Sequence, residues 1–411
     1  MINPSSNKYR RIRGGLDNAV KQAEDRGLHD MNIVDADAHY QPFLDLLVKY
    51  LAKFYGVKYE FPPDTEVDPR LLGGIADKYE MMRRFNLTPN GVDSMRDQYL
   101  AAPMLWKESG PLTRPETRNA SNWSVQDAID RYTKRMYDIG IKRSIIFPNS
   151  YMNLNLIPDP NLEVAMCNAW VDFMLENFLG KYQEILTIVP LPARSPDKAA
   201  ELIDRVGSEK GIVGAYFSPI SDKLFGHEDY DPIYEAMNRK EVPALIHGRA
   251  HFGIPPSSEF NKRLSQNFFA FPEWIIKQVV SIIVDGTVER FPRIKWIWAE
   301  SGITWVPWVA HRLDSYYQML EEDAPWVRKM PSEYLKDFYY TSQPLEEQYN
   351  ASHELEYIFK YIDAENKLLY ASDYPHWDFD VPASIYDLHF LSKRQKEKIM
   401  GENSANLFKI R

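Results

Sequence analysis

The stretch Ile33-Val34-Asp35-Ala36-Asp37-Ala38-His39 reads as a buried β-strand that carries ionisable groups. Side chains alternate across a strand, so Asp35, Asp37 and His39 are expected on one face and Val34, Ala36 and Ala38 on the other. Buried carboxylates without partners are expensive, so such a cluster calls for a metal ion, another cation or protonation. The Asp-x-His pair taken alone stays open between a pair of metal ligands and a capping interaction at the strand end.

Outward from this strand, short apolar runs alternate with helix-like segments, the signature of the α/β class. Further strand candidates are Ser144 to Pro148, Ile185 to Pro190, Val213 to Phe217, Ala244 to His247, Ile294 to Ala299, Phe338 to Thr341 and Leu368 to Ser372. With the first strand they make about eight, the number that closes a (β/α)8 TIM barrel. Helix punctuation falls between them. Ser124 could cap a helix stopping at Gly140, Ser195-Pro196 opens another, and Pro272 begins an apolar-periodic stretch ending near Pro292. An open doubly wound sheet is the alternative, but no G-x-G-x-x-G and no P-loop follows the first strand. The expected organisation is an N-terminal arm over residues 1–30 and a barrel over 31–411, in which 41–122 form a long lid-like insertion after the first strand. Such a βα connection lies on the face where barrel sites are built, so Arg83, Arg84 and Arg96 either meet a substrate carboxylate or are solvated loop charges.

The C-terminal ends of other strand candidates also carry His or carboxylate residues: His247 after the fifth, Glu300 after the sixth and Asp373 after the eighth. Ends of parallel strands converge on one mouth, which makes a divalent metal site the expected meaning of Asp37, His39, His247, Glu300 and Asp373 together. His251, four residues after His247, and His376, three after Asp373, are further candidate ligands or contacts to substrate and water. Asp35 is expected just behind the ligands, and Glu300 and His251 are the candidate catalytic groups. Arg249 could grip a substrate carboxylate through two hydrogen bonds or pair with a lid carboxylate. Trp296 and Trp298, in step with Glu300, either wall a pocket or pack inside the barrel. His311, Arg312 and Asp314 sit in a helical stretch and read as structural.

Composition narrows the chemistry. The 411 residues include a single cysteine, Cys167, so a metal site must be built from His and carboxylates, and a reducing cytoplasm is the expected compartment. A net charge of -9 disfavours a nucleic-acid-tracking surface; the basic run Lys8 to Arg13 reads as an exposed arm that packs on a partner subunit. The longest apolar run, Ile275 to Val284, is interrupted by Lys277 and Gln278, so neither a membrane span nor a signal peptide is expected.

V-D-A-D-A-H (34–39), V-P-A-L-I-H-G (242–248), F-P-R-I-K-W-I-W-A-E-S-G (291–302), L-L-Y-A-S-D-Y-P-H-W-D (368–378) and G-E-N-S-A-N-L-F (401–408) resemble the amidohydrolase-related family that includes the aminocarboxymuconate-semialdehyde decarboxylase-like enzymes. The likeness runs in order from about Ile33 to the C-terminus. It implies a TIM barrel with a metal held from the first, fifth and eighth strands, hence by Asp37, His39, His247 and Asp373. Two departures stand out: Asp37 takes the place of the usual His or Glu, and Glu300 stands where these decarboxylases place a histidine after the sixth strand.

The carboxylate-rich donor set exceeds what one zinc needs and suits iron or manganese as well. Some relatives in the family with this D-x-D-x-H style of first strand resemble non-haem dinuclear monooxygenases rather than hydrolases. The preferred expectation is therefore oxygen-dependent hydroxylation of a small organic or amino acid at a dinuclear iron or manganese site. The alternative is a mononuclear zinc or manganese decarboxylase or hydrolase of a small carboxylic acid. A third reading is a non-catalytic barrel subunit that supports a catalytic homologue, and a homo- or hetero-oligomer with a related barrel is expected.

Overall fold

A computed structural model describes residues 15–40, 50, 51, 53, 125–148, 159–248, 263–346, 352–374 and 379–410. Eight parallel strands follow one another in sheet order: β1 (Ile33–Tyr40), β2 (Ile141–Pro148), β3 (Ile185–Pro190), β4 (Ile212–Phe217), β5 (Ala244–His247), β6 (Trp296–Ala299), β7 (Tyr339–Thr341) and β8 (Leu368–Leu369). The circle closes where Ala36 N donates to Tyr370 O and His39 N to Tyr374 O, beside a parallel bridge between Ala38 and Tyr374. The fold is a TIM barrel.

Helices α1 (Gly15–Asp25), α2 (Val125–Asp138), α3 (Pro160–Asn177), α4 (Pro196–Val206), α5 (Asp231–Lys240), α6 (Arg263–Val284), α7 (Trp305–Leu320), α8 (Pro331–Asp337), α9 (Ser352–Tyr361) and α10 (Asn403–Leu407) accompany the strands. Alternation along the strands sorts the apolar residues into two clusters. Ala36, Ile145, Phe147, Ile188, Tyr216, Leu245, Ile297 and Leu369 pack inside the barrel, while Ile146, Val189, Phe217, Ile246, Trp298 and Tyr370 pack between sheet and helices. Ala19, Ala23 and Leu28 tie the segment before β1 into the outer layer. No helix among the described residues is long and apolar enough to cross a membrane.

Three sequence-based expectations change. The helix expected from Pro272 begins at Arg263, with Pro272 in its interior; burial of Ala270, Ile275, Val279, Ile282 and Ile283 holds it there despite the missing N–H. Trp296 and Trp298 pack neither in the barrel interior nor in a pocket wall. They lie under the helices, 5.6 Å from Tyr234 and 5.7 Å from Phe338 between ring centres, respectively. The third change concerns β1, where the register against β2 shifts between Asp35 and Ala38. Ala36 consequently packs inside and Ala38 outside, so strict alternation fails and Asp35 does not share a face with His39.

Candidate metal centre

The shift in β1 carries Asp37 and His39 to the C-terminal mouth of the barrel, where β5 ends on His247. His39 Nε2 lies 3.3 Å from Asp37 Oδ1 and 2.9 Å from Asp373 Oδ1. His247 Nε2 lies 3.1 Å from Asp37 Oδ2 and 3.2 Å from Glu300 Oε2. One donor atom each from His39, His247, Glu300 and Asp373 falls within 4.8 Å of the others, and Asp37 adjoins both imidazoles. All five expected residues are therefore brought together.

Glu300 and Asp373 reach the cluster through backbone turns. By alternation after Trp296 and Trp298, residue 300 would face the helices, but Glu300 has φ 46° and Asp373 φ 59°. Left-handed backbone costs a non-glycine residue about 1 to 2 kcal/mol and collects at functional sites. Neighbours hold both turns: Glu300 N donates to Thr341 Oγ1 at 3.0 Å, and Asp373 N to Asp37 O at 2.8 Å. Close approach requires Gly248, where a Cβ would lie 2.1 Å from Glu300 O.

Burial and charge set the protonation states. Desolvation pushes the Asp37 carboxyl upward, but the imidazoles of His247 and His39 outweigh it and hold the group below the usual carboxylate range. Desolvation likewise lowers His39, favouring neutral imidazole even against the attraction of Asp37. His247 Nδ1 lies 2.6 Å from the Gly248 carbonyl oxygen, which can only accept, so Nδ1 donates there and Nε2 is the nitrogen turned to the cluster. Asp35 is pushed up to about 7, chiefly by burial, although Ser372 and the Asp37 amide hydrogen-bond to it. It lies on the helix side, near the phenols of Tyr132 and Tyr370.

Both Asp37 oxygens and His247 Nε2 are buried and make no hydrogen bond of good geometry, despite their closeness. Carboxylate oxygens and imidazole nitrogens gathered at one buried point, without a hydrogen bond of good geometry among them, are the donor types that hold a divalent cation.

Sequence reading missed several members of this mouth. Gln343 Nε2 donates to Asp373 Oδ2 at 3.2 Å, and Phe147 forms the floor, its ring centre 5.7 Å from that of His39 and 5.2 Å from that of His247. Tyr216 stands 6.3 Å from His247. The available signal was position: Gln343 closely follows β7 at the face where the ligands meet. Arg83, Arg84, Arg96, Arg249, His251, His376 and the run Lys8 to Arg13 lie outside the described residues.

Comparison with known proteins agrees with this architecture. The model of the amidohydrolase family matches residues 150–410. The gamma-resorcylate decarboxylase of Polaromonas sp. strain JS666 is 22% identical over 338 residues, spanning 78% of this chain and 99% of the relative. That of Rhizobium sp. strain MTP-10005 is 21% identical over 326 residues, spanning 76% and 97%. Among solved structures, 5-carboxyvanillate decarboxylase from Sphingomonas paucimobilis superposes with a TM-score of 0.64 at 16% identity, covering 93% of this chain and 100% of that one. The dihydroxybenzoic acid decarboxylase of Polaromonas sp. JS666, with bound manganese and the inhibitor 2-nitroresorcinol, gives 0.61 at 18% identity, covering 92% and 97%.

Proposed function

Since this chain belongs to the amidohydrolase family, we propose that it is a metal-dependent, non-oxidative decarboxylase of a hydroxylated aromatic carboxylic acid. The observation that carries the proposal is the buried donor cluster, in which Asp37 and His247 present atoms without hydrogen bonds toward a common point. The relatives named above, decarboxylases of dihydroxy- and methoxyhydroxybenzoates, supply the substrate class. Oxygen-dependent hydroxylation at a dinuclear centre, the preferred sequence-based expectation, finds no support in these relatives, which are decarboxylases. Intact donors also count against a non-catalytic barrel.

In this reading Asp37, His39, His247 and Asp373 hold the cation, which suits manganese or zinc by its donor types. The bound cation supplies Lewis acidity toward an anionic oxygen of the substrate. Glu300 is assigned the proton transfer, because it retains 5% exposure while His39 has 1% and Asp37, His247 and Asp373 have none. Protonated Glu300 gives its proton to the ring carbon that bears the carboxylate. The carbon–carbon bond then breaks, its electron pair restores the aromatic ring, and carbon dioxide leaves. A hydroxyl group beside the carboxylate raises electron density at that carbon, which is why hydroxylated substrates are specified. Glu300 recovers its proton from water. Phe147 beneath the imidazoles keeps the rings aligned and the floor dry.

The test is to incubate manganese-loaded protein with a series of ortho-hydroxybenzoates under nitrogen and to follow carbon dioxide release. Release without oxygen is expected. Product formation only in air, with oxygen consumed, would replace this reading with the hydroxylation one.

A further inference from the structure

On the helix side of the proposed metal centre, a hydrogen-bonded strut joins the two chain segments that carry three of the four assigned ligands. Asp35 Oδ1 accepts from Ser372 N at 2.8 Å and from Asp37 N at 3.2 Å, and Ser372 Oγ donates to Asp35 Oδ2 at 2.5 Å. The same Ser372 oxygen accepts from Tyr374 N at 3.0 Å. Both neighbours of Asp373 are thus tied into one network whose centre is a carboxylate on β1. Asp35 and Ser372 are fully buried, so water offers neither a substitute partner.

What the network restrains is the turn at Asp373. Its left-handed backbone, φ 59°, is disfavoured for aspartate and needs outside support. Two main-chain bonds, Asp373 N to Asp37 O at 2.8 Å and His39 N to Tyr374 O at 2.7 Å, zip the turn onto β1. The register shift in β1 leaves Asp35 on the outer side, where it can grip Ser372 while Asp37 and His39 face the mouth.

The geometry points to Asp35 and Ser372 as positioning residues that fix Asp373 against Asp37 and His39 and thereby set the affinity for the cation. This inference rests on the metal reading above. Removing the Ser372 hydroxyl leaves Asp35 Oδ2 and Tyr374 N without their buried partner, and the turn can relax away from the donor position. Groups that orient metal ligands in this way are typically worth about 10 to 100-fold in affinity.

The experiment titrates manganese alone into metal-free protein, at a temperature well below unfolding, for the wild type, Ser372→Ala, Asp35→Asn and Asn403→Ala. Asn403 anchors β8 at its other end, its Nδ2 donating to Leu368 O at 2.8 Å and Glu365 O at 3.0 Å, so its variant reports lost stability without touching the strut. The expected result is about 10 to 100-fold weaker manganese binding in Ser372→Ala and in Asp35→Asn, against wild-type affinity in Asn403→Ala with a lowered melting temperature. Asp35→Asn keeps the shape of the side chain and supplies the reading if Ser372→Ala does not fold. Wild-type affinity in a folded strut variant, or equal weakening in Asn403→Ala, would overturn the positioning role. A wild-type protein that binds no manganese or zinc would instead sink the metal reading itself.

Discussion

Glu300→Gln should stabilise the metal-free protein, leave metal binding intact and remove the activity. In the metal-free protein, at a pH where both are ionised, Glu300 and Asp373 each offer a carboxylate oxygen within 4.8 Å of the other in a buried site. Two unit charges at that distance repel by 332/(20 × 4.8), about 3.5 kcal/mol at an effective dielectric of about 20. Attraction to the imidazole of His247, 3.2 Å from Glu300 Oε2, offsets part of this, which leaves a net gain of about 1 to 3 kcal/mol on neutralisation. At about 2.1 cal/mol/K per residue, unfolding 411 residues carries roughly 0.9 kcal/mol/K of entropy, so the melting temperature should rise by about 1 to 3 °C. The assay is thermal melting with and without chelator, metal content by mass spectrometry, and carbon dioxide release. Loss of proton transfer should lower turnover by about 100-fold or more. A metal-free melting temperature that falls, together with lost metal, would refute the reasoning and make Glu300 a ligand. Undiminished turnover would refute its assignment as the proton carrier.

Two other predictions concern the scaffold. Glu163, at the start of α3, pairs with Arg194 through Nε and Oε2 at 2.9 Å, yet burial pushes its carboxyl from 4.5 up to about 7. A carboxyl raised on folding favours the protonated native state, so this group's contribution to stability should fall as pH rises from about 4.5 through about 7. Relative to Glu163→Gln, which does not titrate, the wild type should lose about 2 to 3 kcal/mol between about pH 5 and about pH 8 in denaturant unfolding, and a flat difference would contradict the shift. Gly401 packs against the start of β1, where a Cβ would lie 1.9 Å from Asn32 O. The Gly401→Ala variant should therefore lose about 3 kcal/mol or more in the same assay, and a change under about 0.5 kcal/mol would show that this contact is slack.

Much of the barrel was legible because buried parallel strands are short apolar runs, and those from Ile185 to Pro190 and Ala244 to His247 coincide with β3 and β5. The mouth was legible for a related reason: His247, Glu300 and Asp373 each follow such a run, and parallel topology carries all three to one end. What failed was side-chain direction. A register shift in β1 and left-handed turns at Glu300 and Asp373 are backbone events, stabilised by Thr341, Ser372 and Asp37 from other parts of the chain. No local pattern announces them. The outward packing of Trp296 and Trp298 beside an inward Glu300 is the plainest consequence, because strict alternation would place all three on one face. Gln343 and Phe147 escaped notice because neither an amide nor a phenylalanine at a strand end is distinctive until the neighbouring ends are known.

Metal content tests the central claim most directly. Protein purified without chelators should carry one manganese or zinc ion per chain, and His39→Ala and Asp373→Ala, each removing a donor from the buried cluster, should carry none while keeping the circular dichroism of a folded barrel. Two iron or manganese ions per chain in the wild type, or full metal content in either variant, would contradict a single ion held by Asp37, His39, His247 and Asp373.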